Sequence, residues 1–101
     1  MLRHVESHYD RVITLDEVAG LANFSVFHFT RFFRETTGMT FGQYVNQFRV
    51  EKAVDYLINT NDTITEIVFK SGFNSAKTFN RVFRQIKGCS PSAYKRSLSE
   101  V

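Results

Sequence analysis

The chain has 101 residues, a formal net charge of +3 and a pI near 9.2, and 43% of its residues are hydrophobic. This length fits one domain with a modest core. No apolar run approaches the roughly 20 residues of a membrane-spanning helix, and no export signal is evident at the N-terminus. The single cysteine, Cys89, excludes an internal disulfide, so we expect a cytoplasmic protein without membrane contacts.

The first half of the chain contains the elements of one helix-turn-helix unit. A helix is predicted from Leu2 to Tyr9, followed by a capping box at Thr14–Glu17 that starts a helix of about two turns. Asn23, which tolerates positive φ, marks a tight turn whose corner Phe24 should fill. The longer helix that follows is predicted to start at the cap Ser25 and to end at Gly38.

A long helix should join this unit to the rest of the chain. Thr40–Gln43 has the form of a capping box, and the helix is predicted to run from Phe41 to about Asn59. Its length of roughly 27 Å would set the distance between the units that it joins. Its predicted apolar positions are Tyr44, Val45, Phe48, Ala53, Val54, Leu57 and Ile58.

The second half repeats the first. The segment Phe29–Arg34 and the following Gly38 recur as Phe79–Arg84 and Gly88, a constant shift of 50 residues. Four features of the first half recur at matching places. They are the capping box at Thr63–Glu66, the turn at Gly72, the cap of the longer helix at Ser75 and the start of the next helix at Ser90-Pro91. We therefore predict an all-α fold of seven helices, with two helix-turn-helix subdomains at about 1–39 and 61–101 and a linker helix at 40–60.

The second helix of each unit has one apolar and one polar face. The predicted buried sides are Phe29, Phe32 and Phe33, and Phe79, Val82 and Phe83. The opposite faces carry Phe27, Thr30, Arg31 and Arg34, and Lys77, Asn80, Arg81 and Arg84. A single stripe of this kind is usually a solvated surface, but two stripes at matching positions favour two helices that enter DNA major grooves. The positive excess, which lies entirely in residues 51–101, agrees with a polyanion partner.

Several of these residues carry a family resemblance. Gly72–Ser75, Phe79, Arg81, Phe83-Arg84, Gly88 and Ser90–Tyr94 resemble the signature of the AraC/XylS family of bacterial transcription regulators. The first unit is similar to that family's first helix-turn-helix, so the resemblance covers essentially the whole chain. It implies sequence-specific binding of double-stranded DNA by two recognition helices in successive major grooves, and regulation of transcription as an activator.

The resemblance also implies roles for individual residues. The expected base contacts come from Val26, Phe27, Thr30, Arg31, Ala76, Lys77, Asn80 and Arg81. The expected phosphate contacts come from Ser25, Arg34, Thr40, Ser75, Thr78 and Arg84. RNA polymerase is a further expected partner. Family members usually carry an effector or receiver domain, which we expect to be missing from this chain.

Other functions find less support in the residues. The chain has no glycine-rich phosphate loop and no nucleophile with a base at a useful spacing, so we expect neither an enzyme nor a cofactor. His4 and His8 have a spacing that can chelate a metal on a helix, but no third ligand accompanies them, and no metal is expected. The remaining alternative is a helical protein-interaction module without direct DNA readout.

Overall fold

The computed structural model describes residues 2–99, and within that range the chain is all-α. The seven helices are α1 (Leu2–His8), α2 (Leu15–Leu21), α3 (Val26–Thr37), α4 (Phe41–Asn59), α5 (Ile64–Lys70), α6 (Ala76–Lys87) and α7 (Pro91–Ser99). They form an elongated body of 47 × 22 × 22 Å. None of the helices in the described range is long and apolar enough to cross a membrane.

Helix α4 contributes to two separate hydrophobic cores. Its first turns place Phe41 and Val45 in a core with α1, α2 and α3, whereas Val50 and Leu57 lie in a core with α5 and α6. The first core consists of Val5, Val18, Ala19, Phe29, Phe33, Phe41 and Val45. The second consists of Val50, Ala53, Val54, Leu57, Ile67, Val68, Phe73, Phe79, Val82 and Phe83. The fold is therefore two small helical bodies built on one continuous helix.

The two turns between short and long helix repeat each other in detail. Asn23 has a φ of 59° and Gly72 a φ of 100°, so both positions predicted to tolerate positive φ adopt it. The next residue closes each turn in the same way, because the amide of Phe24 donates to the carbonyl of Ala19 at 2.9 Å and that of Phe73 to Val68 at 3.1 Å. The duplication seen in the sequence is thus a duplication of backbone geometry.

One of the predicted capping boxes is only half formed. Thr40 with Gln43 and Thr63 with Glu66 form complete boxes at α4 and α5. At α2 the hydroxyl of Thr14 accepts from the amide of Glu17 at 3.1 Å, but the Glu17 carboxylate accepts from Nη2 of Arg11 at 2.7 Å and bonds to Nε2 of His4. The prediction of a full box at Thr14 is wrong because Glu17 instead joins α2 to α1 and to the segment that follows it.

One residue predicted to be buried is exposed. Phe32 is 45% exposed, whereas Val82 at the matching position of α6 is 3% exposed. The long helix α4 packs against α6 beside Val82, whereas Phe32 contacts Phe24 edge to face at a centroid distance of 5.4 Å and keeps much of its ring exposed. Ile58 is 56% exposed and lines an open groove with Leu98.

The Glu17 cluster predicts a pH-dependent stability. The hydrogen bonds from Arg11 and then from His4 lower the pKa of Glu17 to about 2. A carboxyl group with a lowered folded pKa stabilises the protein above its unfolded pKa and loses that effect as the pH falls. The lower Tm expected for Glu17→Gln at pH 7 should therefore converge on the wild-type Tm between about pH 4.5 and about pH 2.

Thermal unfolding followed by circular dichroism from pH 7 to pH 2 measures this difference. Asp16→Asn, which removes an exposed carboxylate from the same helical turn, is the control and should show a smaller pH-dependent difference. A gap between wild type and Glu17→Gln that stays constant over this range contradicts the assigned role of Glu17.

Candidate nucleic-acid interface

Packing against α4 fixes which side of α3 faces outward. The helix begins after Ser25, whose hydroxyl accepts from the amide of His28 at 3.1 Å, and ends at Gly38 with a φ of 77°. Phe29 and Phe33 are buried, and their ring centroids lie 5.7 and 5.5 Å from that of Phe41 on α4. The residues on the side of α3 opposite these two aromatic anchors then point away from the core.

The outward face of α3 combines an aromatic ring with arginines. Phe27 is 76% exposed although it is large and apolar. It borders an open surface groove of about 480 Å³ that is lined by Val26, Phe27, Thr30, Arg31 and Arg34. Val26 is half-buried at the edge of the first core, and the other four residues are exposed. The four base-contact candidates predicted on α3 therefore share one surface with Arg34.

Helix α6 presents a matching face with a different chemistry. Phe79, Val82 and Phe83 are buried, as predicted. The helix begins after Ser75, whose hydroxyl accepts from the amide of Thr78 at 3.2 Å. The exposed residues on the other side are Ala76, Lys77, Asn80, Arg81 and Arg84. This face holds no large apolar side chain, in contrast to Phe27 on α3.

Charge also separates the two faces. Arg31 donates from Nε to Oε1 of Glu35 at 3.2 Å, with both side chains 68% exposed. The residue that matches Glu35 in α6 is the neutral Gln85, and α6 contains two lysines, two arginines and no acid. Glu35 was not among the predicted site residues, although its position four residues after Arg31 indicates a helical ion pair.

The predicted phosphate-contact residues lie at helix starts or on the exposed faces. Thr40 and Thr78 are half-buried, and Thr40 Oγ1 accepts from the amide of Gln43 at 3.1 Å. Ser25 is exposed, and accepting from His28 leaves its own hydroxyl proton free to donate elsewhere. The hydroxyl of Ser75 donates to Thr78 Oγ1 at 3.0 Å. These phosphate contacts, like the base contacts, stay predictions.

The histidines have ordinary structural surroundings. His8 Nδ1 bonds to the carbonyl of His4 at 2.9 Å, and the two rings stack with centroids 4.3 Å apart. Over residues 2–99 no cluster of three histidine, cysteine or acidic side chains could hold a metal ion. His28 is exposed beside the face of α3 and stacks on Phe24 with a centroid distance of 4.1 Å.

Comparison with known proteins identifies the same arrangement elsewhere. A family model described as a helix-turn-helix domain matches residues 18–97. The chain is 36% identical over 97 residues to the transposon Tn10 TetD protein of Escherichia coli, with 96% of this chain and 70% of that protein covered. It spans only 34% of the length of several other curated relatives that it matches.

Solved structures share the fold over nearly the whole chain. The DNA-binding domain of AdpA, a global transcriptional factor solved in complex with a target DNA, is 28% identical with a TM-score of 0.84, covering 95% of this chain and 90% of that one. A Chromobacterium violaceum transcriptional regulator with an AraC-type DNA-binding domain has a TM-score of 0.86 at 21% identity, covering 94% and 85%. At 21% identity, the similarity to the Chromobacterium violaceum regulator shows a shared fold.

Truncation of two phenylalanines on α3 should change the free energy of unfolding by very different amounts. Phe29→Ala removes a fully buried ring and should lower the free energy of unfolding by about 3–5 kcal/mol. Phe27→Ala removes an exposed ring and should change it by less than about 0.5 kcal/mol. Urea unfolding of both variants measures the two values. A large loss for Phe27→Ala would mean that its ring belongs to the core and not to the outward face.

Proposed function

The chain belongs to the AraC-type helix-turn-helix family of DNA-binding transcription regulators, and we propose that it reads a two-part DNA sequence with α3 and α6 in successive major grooves. The observation that carries this proposal is the pair of exposed faces on two helices that are held by the same caps, turns and buried rings. A major groove admits one α-helix and presents base-edge acceptors that arginine binds with two hydrogen bonds.

Each face is proposed to read bases in its own way. On α3, Phe27 would contact thymine methyl groups while Arg31 binds guanine. On α6, Arg81 would bind guanine, with Asn80 and Lys77 beside it. The full proposed set for bases is Val26, Phe27, Thr30, Arg31, Ala76, Lys77, Asn80 and Arg81. The proposed set for phosphates is Ser25, Arg34, Thr40, Ser75, Thr78 and Arg84.

The wider role follows from the family and from the longer relatives. We propose that residues 1–39 and 61–101 act as the two DNA-binding subdomains, with the linker helix at 40–60 between them. The protein would act in the bacterial cytoplasm as an activator that contacts RNA polymerase. A sensing domain elsewhere in an intact protein is part of the same proposal, because several relatives are about three times as long as this chain. We propose no catalytic activity.

Selection of bound sequences from a random DNA pool at moderate salt tests the proposal. Two preferred blocks about 10 base pairs apart are expected from two recognition helices on one face of the duplex. Affinity for the selected site should fall steeply as salt rises, because bound phosphates release counterions. No enriched sequence and a weak salt dependence would instead favour a protein-interaction module.

Arg81→Ala is expected to weaken binding to the selected site by about 1–3 kcal/mol and to relax base preference at one position. Arg96→Ala removes the same charge from α7, outside the proposed faces, and should leave base preference unchanged. Titrations with the selected duplex, single-base variants and a random duplex separate the two effects. An equal loss for Arg81→Ala on specific and random DNA would remove it from the base-reading residues.

Glu35→Gln should strengthen binding, because DNA and Glu35 compete for Arg31 and because the carboxylate repels phosphate. Breaking an exposed ion pair and removing this repulsion should raise affinity by about twofold to fivefold at low salt. Asp55→Asn, an exposed acid on α4, is the matched control and should have a smaller effect. The proposed competition is excluded if the two variants bind with the same affinity.

A further inference from the structure

A second set of contacts joins the two helix-turn-helix units beside α4. Arg49 lies between the α4 residues of the first core and those of the second. Its guanidinium donates from Nε to the carbonyl of Tyr9 at 2.9 Å and from Nη2 to the carbonyl of Arg11 at 2.7 Å. Both carbonyls belong to the segment between α1 and α2. The fork of one side chain thus binds the backbone of the first unit at two points.

The same guanidinium also faces the second unit. Its central carbon lies 6.0 Å from the centroid of the Phe73 ring, which is buried in the second core beside the α5–α6 turn. Arg49 is itself only partly accessible, since it is sandwiched between this ring and the two carbonyls. A single side chain from the linker helix therefore touches both units.

Gly72 brings the two backbones into direct contact. A Cβ atom at Gly72 would lie 1.9 Å from the carbonyl oxygen of Tyr9 and 2.9 Å from Nε of Arg49. Asn23, at the matching turn of the first unit, has a side chain that is exposed, and it also has a positive φ. The φ of Asn23 lies in the left-handed region that asparagine tolerates, whereas the φ of 100° at Gly72 lies beyond it. Glycine is required at Gly72 both because of this backbone conformation and because the first unit packs against it.

The contact extends from one recognition motif to the other. Arg11, whose carbonyl accepts from Arg49, also binds Glu17 on α2 through its side chain. The hydroxyl groups of Tyr9 and Tyr56 share a hydrogen bond of 3.1 Å. Gly72 lies three residues before Ser75, the cap of α6. Displacement of this contact would therefore move the start of the second recognition helix relative to the first unit.

We infer that Arg49 and Gly72 are positioning residues that lock the two helix-turn-helix units in one relative orientation and thereby fix the spacing of the two halves of the DNA site. The orientation is a property of the free protein, and only its effect on spacing rests on the proposed function. An added base pair rotates one half-site by roughly 35° and shifts it by about 3.4 Å. A locked pair of units cannot follow that change, whereas units joined by α4 alone can bend and twist to do so.

The first arm of the test measures orientation without DNA. Spin labels at Glu35→Cys and Gln85→Cys, matching exposed positions on α3 and α6, report the distance between the helices in a Cys89→Ser background. The labelled protein without further substitutions should give one narrow distance distribution. Arg49→Met and Gly72→Asn should broaden or shift it, and Arg49→Lys, which keeps one donor group, should have an intermediate effect. Asn23→Gly is the control for the matching turn and should change nothing.

The second arm measures affinity for duplexes in which the spacing between the two selected blocks is changed by one or two base pairs. The wild-type protein should lose about tenfold or more per added base pair, a loss comparable to one mismatched base. Arg49→Met and Gly72→Asn should lose less than about threefold, with base preferences within each block unchanged. Arg96→Met, which also removes a cation but lies exposed on α7, should weaken binding equally at all spacings and keep the sharp spacing preference.

The outcomes separate the two proposals. Equally narrow and unshifted label distances in all variants overturn the inference, and so does an affinity loss in Arg49→Met that parallels Arg96→Met across the spacing series. If the wild-type protein selects no two-part site, the proposed function fails, and the label distances still decide whether Arg49 and Gly72 lock the units. Thermal unfolding of each variant identifies unfolded protein. If Arg49→Met does not fold, Arg49→Lys and Gly72→Asn supply the same comparison.

Discussion

One helix has to serve two cores, and the rest of the structure depends on that constraint. Helix α4 gives Phe41 and Val45 to the first core and Val50, Ala53 and Leu57 to the second. Neither core has enough buried apolar residues to resemble an independent domain. Because α4 is continuous, the stability of one unit depends on the same helix as that of the other. The duplication therefore produces two units that share one helix of their cores, and not two modules with separate cores.

This constraint also explains why two copies of one motif differ in burial. Val82 is covered because α4 extends along α6, whereas Phe32 at the same position of α3 keeps 45% of its surface exposed and contacts Phe24 edge to face at a centroid distance of 5.4 Å. An aromatic ring at the uncovered position still buries part of its surface against a neighbour. A smaller β-branched residue fits the covered one. The sequence difference thus follows from whether a neighbouring helix covers the position.

Local rules predicted most of the fold, and contacts between distant residues account for what they missed. Caps, positive-φ turns and helix periodicity depend on residues within about four positions, so α3, α4 and α6 and their outward faces were identified correctly. The partner of Glu17 was misjudged because Arg11 and His4 come from outside its helix. The contact of Arg49 with Tyr9 spans 40 residues. No spacing rule connects Arg49 with Tyr9. Gly72 gave no signal of the contact either, because the tight turn is enough to account for a glycine in the sequence.

The two outward faces differ in how strongly each depends on charge. On α3 an arginine is held by Glu35 beside an exposed phenylalanine, while on α6 lysine and arginine side chains stand without an acid in the same helix. Electrostatic attraction to phosphates acts over about 10 Å at 0.1 M salt and does not distinguish sequences. Apolar contact with thymine methyl groups acts only at close range and does distinguish them. Under the proposed function, the α6 half would supply more of the attraction to phosphates, and Phe27 would add discrimination on the α3 half to that supplied by the base-reading residues of α6. Locked units would bring Phe27 to the groove only when both helices are in register.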